Sequence, residues 1–450
     1  MSGEITNETG AVPGKAFGRR DFLRYGAIAG GAAAAGSVLV SSPAMAAARA
    51  ALYRPAAVNG TIGFRFWGTG TERATIFKRI AYVQSLYPKL KVTKYVLSEN
   101  GYQDFPELLT EIASGTAPDA LRTLTYQPTQ LVAQGNALLD LSPYVNSDSS
   151  LDTSDFVPVL WKGCFVDGKV YAMPDNGEPY VVYYNEKAFK DAGIPTPATL
   201  IAQGKWNEQT LLSSAQALMA KGGMKYGVAF ESWNYDCFAF MGGGSILDSN
   251  LKPVIHQSPT PQTYQYFADL INKYKVAPSS EVPAGTYLTN FGNGTLGMYI
   301  SGAWWGIDYI EPLVKGSFPW ADAIMPTING HLGCKLEIGQ VAVSADTKNP
   351  DAAWAFVSGY TSTKANQIWM AAATPARLSV LHSAAYRQLP FAPTVQEMVK
   401  YARFTPFTKA GAAVDTACET ALSPMWLGHQ TAATATTNAA AALQKALASA

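Results

Sequence analysis

The chain of 450 residues is poor in the side chains that hold metals and redox groups. Its four cysteines are Cys164, Cys237, Cys334 and Cys418, and its four histidines are His256, His331, His382 and His429. No two cysteines form a CxxC or CxxCH pattern and no histidine pair has metal-ligand spacing, which argues against a zinc centre or a c-type haem. Neither a cofactor nor a metal is expected. An excess of one charge is also missing. With 34 Lys+Arg against 33 Asp+Glu and no basic block beyond the amino-terminal segment, nucleic acid and anionic membrane surfaces are disfavoured as partners. No nucleophile elbow, Walker loop or dinucleotide fingerprint stands in a supporting context. Internal repeats are lacking too, which removes the basis for a structural or adhesive array.

What is present begins with an export segment. A polar start leads to Gly18-Arg19-Arg20-Asp21-Phe22-Leu23-Arg24, a Gly- and Ala-rich run from Tyr25 to Val40, and Ser41-Ser42-Pro43-Ala44-Met45-Ala46. That order is the n-region, h-region and A-x-A site of a signal peptide over residues 1–46, and RRDFL with a mild h-region gives it the twin-arginine form. The protein is therefore expected outside the cytoplasm, periplasmic or extracellular, with the twin-arginine machinery as an export partner. Export leaves one or two disulfides open, with their pairing undetermined. The ~400 residues that follow exceed what one core organises, so two lobes are expected.

Aromatic residues make up 12% of the chain, with ten tryptophans. The stretch Phe291 to Trp305, FGNGTLGMYISGAWW, joins a glycine-rich entry, a strand from Leu296 to Ile300 and two adjacent tryptophans. On an extended segment consecutive side chains point oppositely, so Trp304 is expected in a cleft and its neighbour inward, with two core residues as the alternative; Gly302 leaves room for a close approach. Upstream, TIGFRFW from Thr61 to Trp67 reads as a strand turning through Gly68-Thr69-Gly70-Thr71 into a helix. Ligands collect at the carboxyl ends of such strands, which makes Trp67 and Thr69 candidates, unless the glycines only form a turn. Asp119 begins another strand after Pro118, placed to accept ligand hydroxyls or to cap a turn. Val166 to Pro174 reads as a hairpin with an Asp167-Gly168 turn. It leads through Glu178 and Tyr183 to Asn185. Trp233 follows the strand Lys225 to Phe230 and supplies a stacking plate, with Tyr235 and Asp236 beside it.

Several of these segments resemble the extracellular solute-binding proteins of carbohydrate-type ABC importers, the family of maltose-binding protein. FGNGTLGMYISGAWW is similar to its F..G.aaM...G.W segment. ASGTAPDALRTL with GNALLDLSPY is similar to iasGtaPDv...la..G.l.dLtpy, and VDGKVYAMP followed by VVYYN to its first crossing between lobes. KLEIGQVAVS resembles the return crossing and TPARLSV the third. The resemblance implies a two-lobed α/β fold with discontinuous lobes and about three hinge crossings. Lobe 1 would hold residues 47–173 and 340–376, and lobe 2 residues 174–339 and 377–450. It further implies a monomer that binds a carbohydrate (mono- or oligosaccharide or polyol) and docks on the permease subunits of the importer. The expected contacts are Trp67, Thr69, Asp119, Glu178, Tyr183, Trp233, Asp236, Gly302, Trp304 and Arg377, the last open to pairing with a carboxylate instead. Few cations fall in these segments, so a neutral sugar is expected over a glycerol phosphate. The competing class is an exported glycoside hydrolase, which would need two opposed acids drawn from Asp119, Glu178, Glu231 and Asp236.

Overall fold

The computed structural model describes residues 58–68, 70–97 and 103–449. The export segment over residues 1–46 and Thr69 lie outside the described residues. Among the described residues eleven strands are formed: β1 Gly60–Phe66, β2 Leu90–Val96, β3 Ala120–Leu124, β4 Phe165–Val166, β5 Lys169–Val170, β6 Ala172–Asn185, β7 Tyr226–Ala229, β8 Leu296–Gly302, β9 Trp320–Ala323, β10 Cys334–Val343 and β11 Ala402–Arg403. Strand β1 follows from alternation, with Ile62, Phe64 and Phe66 sealed from water. The helix Gly70–Leu86 then returns the chain to β2, which lies parallel to β1, and buries Ile76, Ile80 and Val83 on one face.

One sheet runs β2-β1-β3-β10-β6-β8-β7. Its members β1, β2 and β3 are mutually parallel, and β10 and β6 enter antiparallel. The 14 residues of β6 are buried throughout and connect the two halves of this sheet. Its first part, Ala172 to Pro179, pairs with β10, whereas Tyr180 to Tyr184 pairs with β8 and Val182 to Asn185 with β9. Within the first part the β6–β10 register slips at Gly339/Gln340, opposite Asn176 and Pro174. A third strand-like segment joins here, because Pro375 bridges to Asn176 while Thr374 donates through its amide and hydroxyl to Glu178.

The start of β6 is fixed by charge. Asp175, fully buried, meets Arg79 Nη1 at 2.7 Å and Arg122 Nε at 2.9 Å. Burial alone would raise this carboxyl, but the two guanidiniums outweigh it and hold it below the usual range. Ahead of β6 the β4–β5 hairpin turns at Asp167 and Gly168, both with positive φ (49° and 77°), the geometry a two-residue DG turn requires. The carboxy-terminal part forms two helices, Gly411–Trp426 and Ala432–Ala448, the second packed through small residues Ala435 and Ala439 with Leu443. All four cysteines are free thiols with no measurable exposure, so neither of the disulfides left open by the sequence is formed.

Two local expectations change. Phe291 and Gly292 end a helix, Thr286–Gly292, and do not open a turn. Strand β8 continues to Gly302, and Trp304 and Trp305 follow in a 3-10 turn, Ala303–Trp305, so the strand rule of opposite faces does not apply to them.

Candidate functional site

Strands β7 and β8 are parallel, and their carboxyl ends therefore arrive together. From β7 the chain passes through Phe230 and Glu231 into the turn Ser232–Asn234, and from β8 it passes through Gly302 into Ala303–Trp305. This brings Trp233 and Trp304 to 6.3 Å between ring centroids with 28° between planes. Tyr180, opposite Gly302 on β6, meets both rings edge-on at 6.3 and 5.4 Å. Both indoles are partly exposed. Gly302 is required by this packing: a Cβ there would lie 1.7 Å from Trp304 Cζ3. Trp305 is held from the side, its Nε1 donating to Ser301 Oγ at 3.0 Å and its ring 4.8 Å from that of Tyr309.

Polar atoms around the plates remain unspent. Trp233 Nε1, the Tyr180 hydroxyl and Glu231 Oε2 are buried without a hydrogen-bond partner among the described residues. Glu231 accepts the Tyr299 hydroxyl at 2.8 Å through its other oxygen, and burial pushes its carboxyl up to about 7. Such atoms are costly to leave unmatched and are commonly completed by a ligand or water.

A charged wall continues from the Trp233 turn. Asp236, in the first turn of Tyr235–Met241, meets Lys335 Nζ at 3.3 Å, and Glu337 meets the same ammonium at 2.9 Å. Burial works against the Lys335 charge, but these two carboxylates outweigh it and keep the pKa high. Asp415 accepts the Tyr235 hydroxyl at 2.6 Å, and burial pushes its carboxyl up to about 6. Between these groups lies a cavity of about 40 Å³ bordered by Tyr126, Asp236, Lys335, Asp415 and the stacked pair Phe404 and Phe407, whose rings are 4.5 Å apart. Tyr126 lies over Gly411, where a Cβ would come within 2.2 Å of the ring, and Gln130 accepts the Ala412 amide at 3.3 Å. The segment after β3 thereby closes on the start of the Gly411–Trp426 helix.

The sequence candidates separate into two groups. Trp233, Trp304, Gly302 and Asp236 come together at this site. Tyr183 belongs to the core: it is 2% exposed, its hydroxyl donates to the Gly302 carbonyl, and its ring packs on Tyr299 and Trp320. Asp119 stands at the amino end of β3, opposite the end that carries Tyr126; its carboxylate accepts the Gly63 amide at 2.8 Å and the Thr347 hydroxyl at 2.5 Å. It fastens the chain ahead of β3 to β1 and to Thr347 and does not line the plates. Arg377 spends its guanidinium on the Thr361 and Asp152 carbonyls and on Asp155, over the ring of Phe156. Glu178 is enclosed, with both oxygens accepting from Thr374. Trp67 is 9% exposed beneath the Arg122 guanidinium, 4.4 Å from its ring. Tyr126, Lys335, Glu337 and Asp415 escaped the sequence reading, since they join the site only through tertiary packing. Phe404 and Phe407 had one visible signal, two aromatics in a Pro-containing loop.

The family model described as "Bacterial extracellular solute-binding protein" matches residues 67–367. No curated protein sequence matches the chain. Among solved structures, the GacH receptor of Streptomyces glaucescens, determined unliganded and with acarbose, is similar with a TM-score of 0.76 at 20% identity, over 87% of this chain and 99% of that one. An ABC substrate-binding protein of Listeria monocytogenes in complex with cycloalternan gives 0.73 at 21% identity, over 86% and 98%. Maltose-bound MalE3 of T. maritima gives 0.73 at 19% identity, over 86% and 99%. At these identities the likeness is one of fold, and the fold is the two-lobed α/β architecture.

Proposed function

The chain belongs to the bacterial extracellular solute-binding family, and on that premise we propose that its solute is a neutral carbohydrate held against the Trp233 and Trp304 plates. The observation that carries this reading is the pair of near-parallel, partly exposed indoles edged by Tyr180 and by unspent donors and acceptors. A pyranose offers C–H faces to stack on such plates and hydroxyls at its rim for Trp233 Nε1 and the Glu231 carboxyl. A phosphorylated solute fits less well, because the Lys335 ammonium at the site is already neutralised by Asp236 and Glu337. Acarbose, cycloalternan and maltose, which the three similar structures hold, are consistent with the same class of solute.

The action is binding followed by delivery to the permease subunits of an ABC importer. Lobe 1, residues 47–173 and 340–376, and lobe 2, residues 174–339 and 377–450, hinge where β6, β10 and the 374–377 segment pass between them. Solute that bridges both lobes shifts the population toward the closed form, which the permease accepts. The receptor works as a monomer, exported by the twin-arginine route. A thermal-shift screen of the purified protein against sugars, polyols, oligosaccharides and glycerol phosphates tests the reading. A neutral saccharide at a hundred times its Kd adds about 2.7 kcal/mol and visibly raises the Tm. Stabilisation by glycerol phosphates alone would overturn the carbohydrate reading, and consumption of the sugar would establish the hydrolase instead.

A further inference from the structure

A second, larger cavity shares Phe404, Pro406, Phe407 and Thr408 with the first and is otherwise lined by different residues. Its volume is about 640 Å³, and neither Trp233, Trp304 nor Lys335 borders it. That size is in the range of sites for small organic ligands. Its lining includes Phe165 and Val166 of the β4–β5 hairpin, Leu247 and Leu251, and the Phe404–Phe407 stack. Phe165 and Leu251 keep 37% and 38% of their surface exposed, which is uncommon for such large apolar groups brought together at one opening.

The charge at this cavity is one-sided. Lys162, Arg403 and Lys409 border it, against Asp167 as the one carboxylate of the lining. Arg403 is committed to the Phe240 and Gly244 carbonyls. Lys162 and Lys409, in contrast, are exposed and form no ion pair among the described residues. An apolar interior with unneutralised ammonium groups at its edge complements a molecule with an apolar body and a negative head.

We propose that this cavity is a second ligand site, separate from the solute cleft, for a small organic anion with an aromatic or aliphatic body. Its head group would face Lys162 and Lys409 while its body packs on Phe165, Leu247 and Leu251. The test is a fluorescence titration of the intact chain with 8-anilinonaphthalene-1-sulfonate, beside the uncharged analogue N-phenyl-1-naphthylamine. The sulfonate should bind saturably at one site, and the analogue roughly tenfold or more weakly. The pair Lys162→Glu and Lys409→Glu, both on exposed side chains, should weaken the sulfonate by a similar roughly tenfold factor at unchanged Tm. Phe165→Ala should weaken both dyes, and Trp304→Ala should leave both unaffected. Absence of saturable binding, equal affinity for the uncharged analogue, indifference to charge reversal, or loss of the dye in Trp304→Ala would each overturn the proposal.

Discussion

Trp304 is held by a glycine beneath it and a tyrosine beside it, and its indole is partly open. Because the ring contributes a ready-made plate, Trp304→Ala should cost at least about 2 kcal/mol of solute affinity, the size of a binding hot spot, with a smaller effect on stability. Isothermal titration alongside a melting curve checks this, and a collapsed Tm would assign the residue to the core instead. Trp233 and Trp304 could be picked out in the sequence, since tryptophans after short strands in glycine-rich surroundings carry a local signal, and Asp236 was named with them. Tyr126, Lys335, Glu337 and Asp415 could not. The oxygens of Asp119 and Glu178 and the guanidinium of Arg377 are taken by Gly63, Thr347, Thr374, Thr361 and Asp155, partners up to 228 residues away in the chain. Whether a carboxylate faces a ligand or an amide depends on such partners, and no local pattern encodes them. The same reason hides Lys335 and Asp415, which meet Asp236 and Tyr235 only after the sheet has formed.

Strand β7 owes its position to a residue without a side chain. A Cβ on Gly227 would lie 2.2 Å from the Ala215 carbonyl oxygen of the helix Glu208–Ala220, a backbone atom that cannot rotate away. Gly227→Ala should therefore destabilise the protein by about 1–3 kcal/mol through overpacking. It should also weaken solute binding, because β7 delivers the Trp233 turn. Urea unfolding and titration of the same variant read both effects, and a variant with unchanged midpoint and affinity would refute the account. At this scale the sequence was informative wherever turn chemistry and alternation agreed. The DG hairpin at Asp167-Gly168 falls where turn chemistry put it, and the strands β6 and β10 run through the two segments that the resemblance gave as crossings. The Trp304-Trp305 pair does not follow the strand pattern, because alternation stops where β8 gives way to a 3-10 turn.

The molecule as a whole carries an uneven set of buried acids, and its stability should depend on pH accordingly. Glu231 is sealed from solvent with its carboxyl pushed up from the usual 4.5 to about 7. The folded chain holds this proton more tightly than the unfolded one, so its contribution is complete below about pH 4.5 and lost as pH rises through about 7. Glu231→Gln removes that dependence. Between about pH 5 and about pH 8 the parent should lose roughly 1–3 kcal/mol relative to the variant, read from urea midpoints at both values. Parallel behaviour of the two proteins would mean that the carboxyl is not proton-bound in the fold. The four thiols are equally enclosed, and burial raises the pKa of each. For a protein that travels from a reducing to an oxidising compartment, this makes the order of events matter. A chain that folds before the journey arrives with its sulfur out of reach of oxidants. One that crossed unfolded would present four reactive groups able to join in three two-bond pairings, none of them present in the finished fold. On the export route proposed for this chain, which carries folded cargo, the interior would be a seal closed before departure.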